Sequence, residues 1–234
     1  MESKRAQLVG NRLALLGTAL YFLEWVAIAY LPSVPTDRLG DDTAAIVSAY
    51  TGHAGATAFA AGWFSFVLLG RVVFVIALRS AFRRSGVDSP LLDIAVAAMT
   101  VSVALEVGSF SLSAAAGWLA DTNADASAVV ALDTAASIGF VMVFAPLAVS
   151  VLAASAVMVT SGLFARWLAW LGIAAGVIGI VGGILHAAAL GATGTFHELG
   201  TAPNGIGVAG FWIWVIATSV VLWRRAPRKG PAAV

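Results

Sequence analysis

Apolar residues in this chain run in long unbroken blocks, and six such blocks emerge between short polar segments. They cover about 13–31, 55–78, 90–120, 126–159, 167–190 and 205–223. A bilayer-spanning helix needs roughly 20 apolar residues, so each block predicts one transmembrane helix. A closed β-barrel is excluded, because its strands would alternate apolar and polar positions. The expected fold is therefore all-α: a polytopic membrane helix bundle of six transmembrane helices, with residues 1–234 forming a single integral membrane domain. Local signals agree with the blocks. Pro32 and Pro35 close the first, and Arg79, Arg83 and Arg84 follow the second. Ser89 is placed to cap the third, with Pro90 in its first turn and Asp93 near the positive end of its dipole. Pro146 should kink the fourth block, which exceeds one bilayer thickness and so tilts or extends into water. Outside the blocks, Asp42 to Tyr50 predicts a short interfacial helix with acidic residues at its start.

Charge fixes an orientation on this pattern. Lys4, Arg5, Arg12, Arg79, Arg83, Arg84, Arg166, Arg224, Arg225, Arg228 and Lys229 all fall on one side of a six-span arrangement. Arg38 alone falls in an opposite loop, and Arg71 lies within a span. Basic loops stay cytoplasmic, so both termini are expected in the cytoplasm of a multi-pass cell-membrane protein. The outer segments hold Asp37, Asp41, Asp42, Asp121, Asp125 and Glu198, read as a solvated cap over the helix ends. A basic start followed by an apolar stretch and Ala27-Ile28-Ala29 also fits a signal peptide. Glu24 inside the stretch argues against that, and the first block is read as a retained span. No internal repeat is evident.

Composition sharpens the picture. The chain is 60% hydrophobic and only 11% charged, against roughly 25% charged in a soluble domain, which rules out a water-soluble globule. A net charge of +1 offers no basic field for nucleic acid. The absence of cysteine removes disulfides, thiolate metal sites and redox dithiols. The only lysines, Lys4 and Lys229, lie near the chain ends, so no retinal Schiff base can form within the bundle. Neither a phosphate-cradling GxxxxGK[ST] motif nor a GxSxG elbow occurs.

In so sparse a setting, ionisable residues inside spans mark candidate function. Glu24, Arg71, Glu106 and Asp133 qualify, with His186 near the outer end of the fifth span. By position they descend from the outer surface to about the midplane, with Arg71 deepest. Ser102, Glu106, Ser109 and Ser113 fall at i, i+4, i+7 and i+11, one polar stripe that Gly117 extends. The stripe either lines a cavity or glues helices together. Gly172, Gly176, Gly179 and Gly183 repeat the same spacing on the fifth span and read as a packing seam, which turns His186 inward. Arg71 needs a buried anion, Glu106 first by depth and Glu24 next; such a pair could serve register alone.

Aromatic residues cluster around these positions. Tyr21, Phe22 and Trp25 flank Glu24. Phe59, Trp63 and Phe66 share one side of the second span, and Phe110 and Trp118 lie on the third. Phe140 and Phe144 follow Asp133 at helical spacings, and Phe211, Trp212 and Trp214 occupy the sixth. Trp118, Trp167 and Trp223 suit interfacial anchoring. The expected pocket draws on Tyr21, Trp25, Trp63, Ser102, Ser109, Phe140, Phe144, Phe211 and Trp214. His53, His186 and His197 fall on the outer side near acids, but no metal-ligand spacing such as HExxH links them, and neither metal nor other cofactor is expected.

The layout resembles an uncharacterised family of actinobacterial six-span membrane proteins. The cues are the acidic stretch Asp41 to His53, the arginines 79, 83 and 84, and Arg166-Trp167-Leu168-Ala169-Trp170-Leu171-Gly172 opening the fifth span. The resemblance implies the six-span topology and transfers no active site.

Three functions fit these observations. The first is a membrane cyclase or isomerase acting on a lipophilic, isoprenoid-like or terpene molecule. A buried carboxylic acid, Glu106 or Asp133, would protonate an alkene or epoxide, with Glu24 as partner or base and aromatic faces stabilising cationic character. The second is a proton-coupled transporter built on the same acids, for which six spans without repeats or broken helices are few and a homodimer would compensate. The third is a non-catalytic membrane subunit whose buried charges only specify packing.

Overall fold

The computed structural model describes residues 2–30, 42–122, 124–190 and 195–224, with side chains described outside 2–11, 30 and 195–200. Among these residues the secondary structure is helical, with no strand. Six stretches are long and apolar enough to cross a membrane: Arg12–Ala29, Ala54–Arg84, Pro90–Asp121, Ala126–Ser161, Arg166–Ala188 and Thr201–Arg224. They match the six apolar blocks, although the second helix runs on to Arg84, where arginines suit the negative end of a helix dipole. Pro32, Pro35, Asp37, Arg38, Asp41, Arg225, Arg228 and Lys229 lie outside the described residues.

The first span consists of α1 (Glu2–Phe22) and α2 (Glu24–Tyr30), and α3 (Thr43–Tyr50) follows as the expected short helix. The second span joins α4 (Ala54–Val67) to α5 (Leu69–Arg84), and the third is the unbroken α6 (Pro90–Asp121). The fourth joins α7 (Ala126–Met142) to α8 (Phe144–Ser161); α9 (Arg166–Ala188) and α10 (Thr195–Arg224) complete the bundle. Local chemistry sets the helix starts. The Ser89 hydroxyl accepts from Leu91 N at 3.3 Å ahead of Pro90, and Asp125 accepts from Ser127 N at 2.9 Å. Asp42 does the same for Ala45 N at 2.7 Å. The hydrogen bonds from Ser127 hold the exposed Asp125 carboxyl below its usual range. Gly162, at φ 64°, ends α8 in the left-handed conformation that glycine adopts without penalty.

Consecutive spans pack side by side, and the last returns to the first: α1 lies on α5, α4 and α5 on α6, α6 on α7 and α8, α8 on α9, α9 on α10, and α10 on α1. Short connections favour such antiparallel neighbours. Closing the ring are buried polar contacts between α1 and α10, where Thr18 Oγ1 and Ser219 Oγ are 2.6 Å apart and Ser219 donates to Ala14 O. The glycine seam of α9 packs as its spacing predicts. A Cβ on Gly172 would collide with Ser155 of α8 and Trp214 of α10, and one on Gly207 of α10 would sit 2.8 Å from Gly179 Cα. Gly176 lies against Leu152 and Ala148 of α8, so one face serves two neighbours.

Three of the six spans are interrupted at a single residue: Leu23 in the first, Leu68 in the second and Val143 in the fourth. The third meets the kink expected at Pro146, whereas the first two were not expected. At each point the bonding tightens locally, as Val26 N donates to Leu23 O, Arg71 N to Leu68 O, and Val143 N to Phe140 O. Pro146 accounts for the third interruption, since its ring crowds the carbonyl four residues earlier and it has no N–H to donate. Leu23 O also accepts from Trp63 Nε1 at 2.9 Å, which satisfies a carbonyl at the first interruption. No local sequence feature marks Leu23 or Leu68.

Candidate functional site

One cavity of about 390 Å³ lies inside the ring, lined by Val143 at one interruption and by Glu24 and Arg71 just past the other two, within the roughly 300–1,000 Å³ of small-molecule sites. Its charged wall comes from three spans. Glu24 opens α2 immediately after Leu23, Arg71 follows Leu68 in α5, and Glu106 projects from α6. All three are buried, at 5%, 3% and 8% exposure. Arg71 Nη2 forms an ion pair with Glu106 Oε2, the partner that depth predicted. The same guanidinium carbon stands 5.1 Å from the centre of the Tyr21 ring, a cation–π distance. The Tyr21 hydroxyl accepts from Trp212 Nε1 at 2.7 Å and hydrogen-bonds the Glu24 carboxyl. Trp212, Tyr21 and Glu24 thus form a chain running from α10 through α1 to α2.

Glycine explains how these groups meet. Where α1 crosses α5, a Cβ on Gly17 would stand 2.7 Å from Gly70 O, and one on Gly70 would stand 2.5 Å from Tyr21 N. Arg71 follows Gly70 directly, and Tyr21 lies one turn beyond Gly17. The close approach therefore brings the Arg71 guanidinium against the Tyr21 ring.

Part of the remaining wall is aromatic, beside Ile28, Leu147, Val208 and Asn204. Phe64 stacks on Phe110 at 4.0 Å between ring centres, Phe110 meets Phe140 edge-on at 6.1 Å, and Phe140 meets Phe144 edge-on at 5.8 Å. Phe144 in turn stacks on His186 at 6.3 Å. The ladder crosses α4, α6, α7, α8 and α9, so packing between spans and the lining of the cavity use the same rings.

Charge counting then constrains what the cavity holds. Two carboxyls face one guanidinium, so the trio is neutral only with one further positive charge, either a proton on a carboxyl or a cationic group. Burying an unbalanced charge is costly. The arrangement can therefore keep a proton beside an apolar ligand, or bind a ligand that brings its own positive charge.

Of the residues expected to act together, Glu24, Arg71, Glu106, Tyr21, Phe140 and Phe144 line this cavity. The others are placed elsewhere. Asp133 is buried and accepts from the Tyr50 hydroxyl at 2.7 Å, fastening α3 to α7. Trp25 is 45% exposed and meets Trp212 edge-on from outside. Trp63 serves the Leu23 carbonyl. Ser102 is buried away from the cavity, and Ser109 donates to Leu105 O and abuts Gly139. Most of the α6 serine stripe therefore packs helices, with Thr57 of α4 against Gly117, while Glu106 alone reaches the cavity. Phe211 packs near Tyr21 at 6.0 Å, and Trp214 is core, edge-on to Phe74 at 5.6 Å. His186 does not line the cavity itself but touches two residues that do, stacking on Phe144 and placing its Nδ1 3.2 Å from Asn204 Nδ2.

Sequence reasoning missed Asn204. The sixth apolar block begins at about Gly205, just beyond Pro203 and Asn204, whereas the helix itself carries Pro203 in its interior. An amide directly beside an apolar block was the available signal. Among the described residues no group of three His, Asp or Glu gathers as a metal site; the side chains of His197 and Glu198 fall outside the description. No protein-family model, curated protein or solved structure matches this chain. The resemblance in layout thus adds no residue assignment, and any functional reading rests on the geometry of the cavity.

Proposed function

We propose that this chain is a multi-pass cell-membrane enzyme that binds a lipophilic, isoprenoid-like molecule in the cavity and acts on it by carboxylic acid/base chemistry, as a cyclase or isomerase does. The observation that carries the reading is the combination of two carboxyls, one guanidinium and an aromatic ladder around a single space of about 390 Å³. The Arg71–Glu106 pair fixes one carboxyl as a counter-charge. Glu24, hydrogen-bonded by Tyr21, takes the acid role, since Asp133 stands off the cavity with Tyr50. In such a reaction the Glu24 carboxyl would give its proton to an alkene or epoxide of the ligand. A C–O bond would break or a C=C π pair would take up the proton, leaving a cation over the faces of Phe110, Phe140 and Phe144. Loss of a proton from the neighbouring carbon to the Glu24 carboxylate would restore the acid, with no co-reactant.

A prenyl epoxide such as 10,11-epoxyfarnesol, added to the full chain in lipid nanodiscs, tests this reading. Consumption with isomeric or cyclic products is expected, and Glu24→Gln should lower the rate by about 10²-fold or more, in the range of general acid catalysis. Undiminished turnover in that variant would remove Glu24 from the role.

One observation favours a second reading. Interrupted helices bordering a buried site are a feature of carriers, and Leu23, Leu68 and Val143 interrupt three spans here. A proton-coupled transporter would use Glu24 as its proton site. It predicts proteoliposome flux of a lipophilic cargo without chemical change, abolished in Glu24→Gln. Pairing of buried charges alone would suit a non-catalytic subunit, but that reading leaves the cavity beside the pair without a purpose.

A further inference from the structure

Among the described residues that line the cavity, Arg71 and Asn204 each keep a buried side-chain atom without a hydrogen-bond partner. Arg71 spends Nη2 on Glu106 and leaves Nε unpaired, while Asn204 spends Nδ2 on His186 and leaves Oδ1 unpaired. Asn204 is only 5% exposed. A buried amide oxygen without a donor costs about 1–3 kcal/mol, so a native bundle keeps one where something else supplies the hydrogen.

The local structure holds Asn204 in place. A Cβ on Gly182 would collide with the backbone of Pro203 and Asn204, so the absence of a side chain lets α10 lie flush on α9. His186 stands four residues beyond Gly182, on the same face of α9, and reaches the Asn204 amide from there. An amide nitrogen only donates, so Nδ1 of His186 accepts and its proton sits on Nε2. The histidine thus positions Asn204 rather than facing the ligand. On α10, Asn204 and Trp212 are eight residues apart, about 12 Å along the axis at 1.5 Å per residue. Trp212 bonds Tyr21 at the level of the carboxyls. The cavity therefore offers polar groups at two levels, with the aromatic ladder forming another part of its wall.

We propose that Asn204, positioned by His186, is the specificity-determining acceptor of this cavity, and that the ligand is a lipophilic molecule carrying a hydrogen-bond donor, a hydroxyl or an amine N–H. This rests on the lipophilic-ligand reading of the cavity and adds a requirement to it. A ligand with an ether or ester oxygen at that position leaves the Asn204 oxygen unpaired and binds less well. Sites built to pair a ligand hydroxyl discriminate strongly against analogues that lack it.

Equilibrium binding of radiolabelled farnesol and farnesyl methyl ether to the full chain in lipid nanodiscs reads this out. Wild type should prefer the alcohol by about 10-fold. Asn204→Leu should bring alcohol affinity down to that of the ether, while Asn204→Asp, which keeps an acceptor, should retain the preference. Tyr50→Phe, away from the cavity, should also retain it. Equal affinities in wild type, or an alcohol preference surviving in Asn204→Leu, would overturn the assignment while leaving the lipophilic cavity intact. Failure of both compounds to bind above empty nanodiscs would remove the cavity reading and this inference with it. The wild-type comparison requires no variant, so a poorly folding Asn204→Leu leaves the proposal exposed to refutation.

Discussion

At the scale of single residues, three acids that looked equivalent along the chain divide into three roles. Glu106 is consumed by Arg71, Asp133 accepts from Tyr50, and Glu24 faces the cavity through Tyr21. Removing one member of a buried ion pair strands the other, at a cost of about 3–5 kcal/mol, whereas replacing both with apolar residues is far milder. Glu106→Gln should therefore lower the thermal midpoint of the detergent-solubilised protein sharply, and Arg71→Met with Glu106→Leu should recover much of the loss. Glu24→Gln keeps a partner for the Tyr21 hydroxyl and should unfold close to wild type while losing turnover. A large stability loss there would make Glu24 a structural residue. Tyr50→Phe takes a donor from buried Asp133, about 1–3 kcal/mol. It should leave ligand affinity unchanged, since neither residue lines the cavity.

Whole elements explain why depth alone could not make this separation. The α6 stripe of Ser102, Glu106, Ser109 and Ser113 was legible as one face, but a face meets several neighbours along its length. Ser109 meets Gly139 of α7, Gly117 meets Thr57 of α4, and Glu106 meets Arg71 of α5. The interruptions at Leu23 and Leu68 were illegible because neither carries a proline or another local breaking signal, whereas Pro146 announced the one at Val143. The Gly17–Gly70 crossing carried no spacing signal either, since its two glycines lie on different spans. It is nonetheless sensitive. Gly70→Ala places a methyl 2.5 Å from Tyr21 N, so overpacking of about 1–3 kcal/mol is expected. Turnover should fall with it, because Tyr21 and Arg71 are displaced together. Gly62 in α4 has nothing within 4 Å of its would-be Cβ, and Gly62→Ala should be neutral or stabilising by up to about 1 kcal/mol. Equal melting temperatures for the two variants would show that the crossing tolerates a side chain.

For the molecule as a whole, six blocks of apolar sequence close into a ring whose interior keeps the scarce charges. The count of spans was readable because burial in lipid forbids unsatisfied backbone and so demands a helical, apolar block for each crossing, even where a single residue interrupts the helix. Which helix faces meet was not readable, because lipid-facing and interior residues are both apolar: Ile184 is 65% exposed and Leu168 fully buried on the same helix. Orientation remains a statement about charge. Arg79 and Arg83 pair with Asp88 and Asp93 at one end, beside Arg84, while Asp121 and Asp125 mark the other. From the positive-inside rule we propose that the arginine end lies in the cytoplasm. The native chain has no cysteine, so single substitutions report cleanly. Ser85 and Ala124 are exposed at opposite ends of α6. In intact cells a membrane-impermeant maleimide should label Ala124→Cys and spare Ser85→Cys until the membrane is opened. The reverse pattern would invert the bundle and place the α3 end, with the Tyr50–Asp133 clamp, in the cytoplasm. Labelling of both without lysis would put α6 outside the bilayer and break the six-span ring.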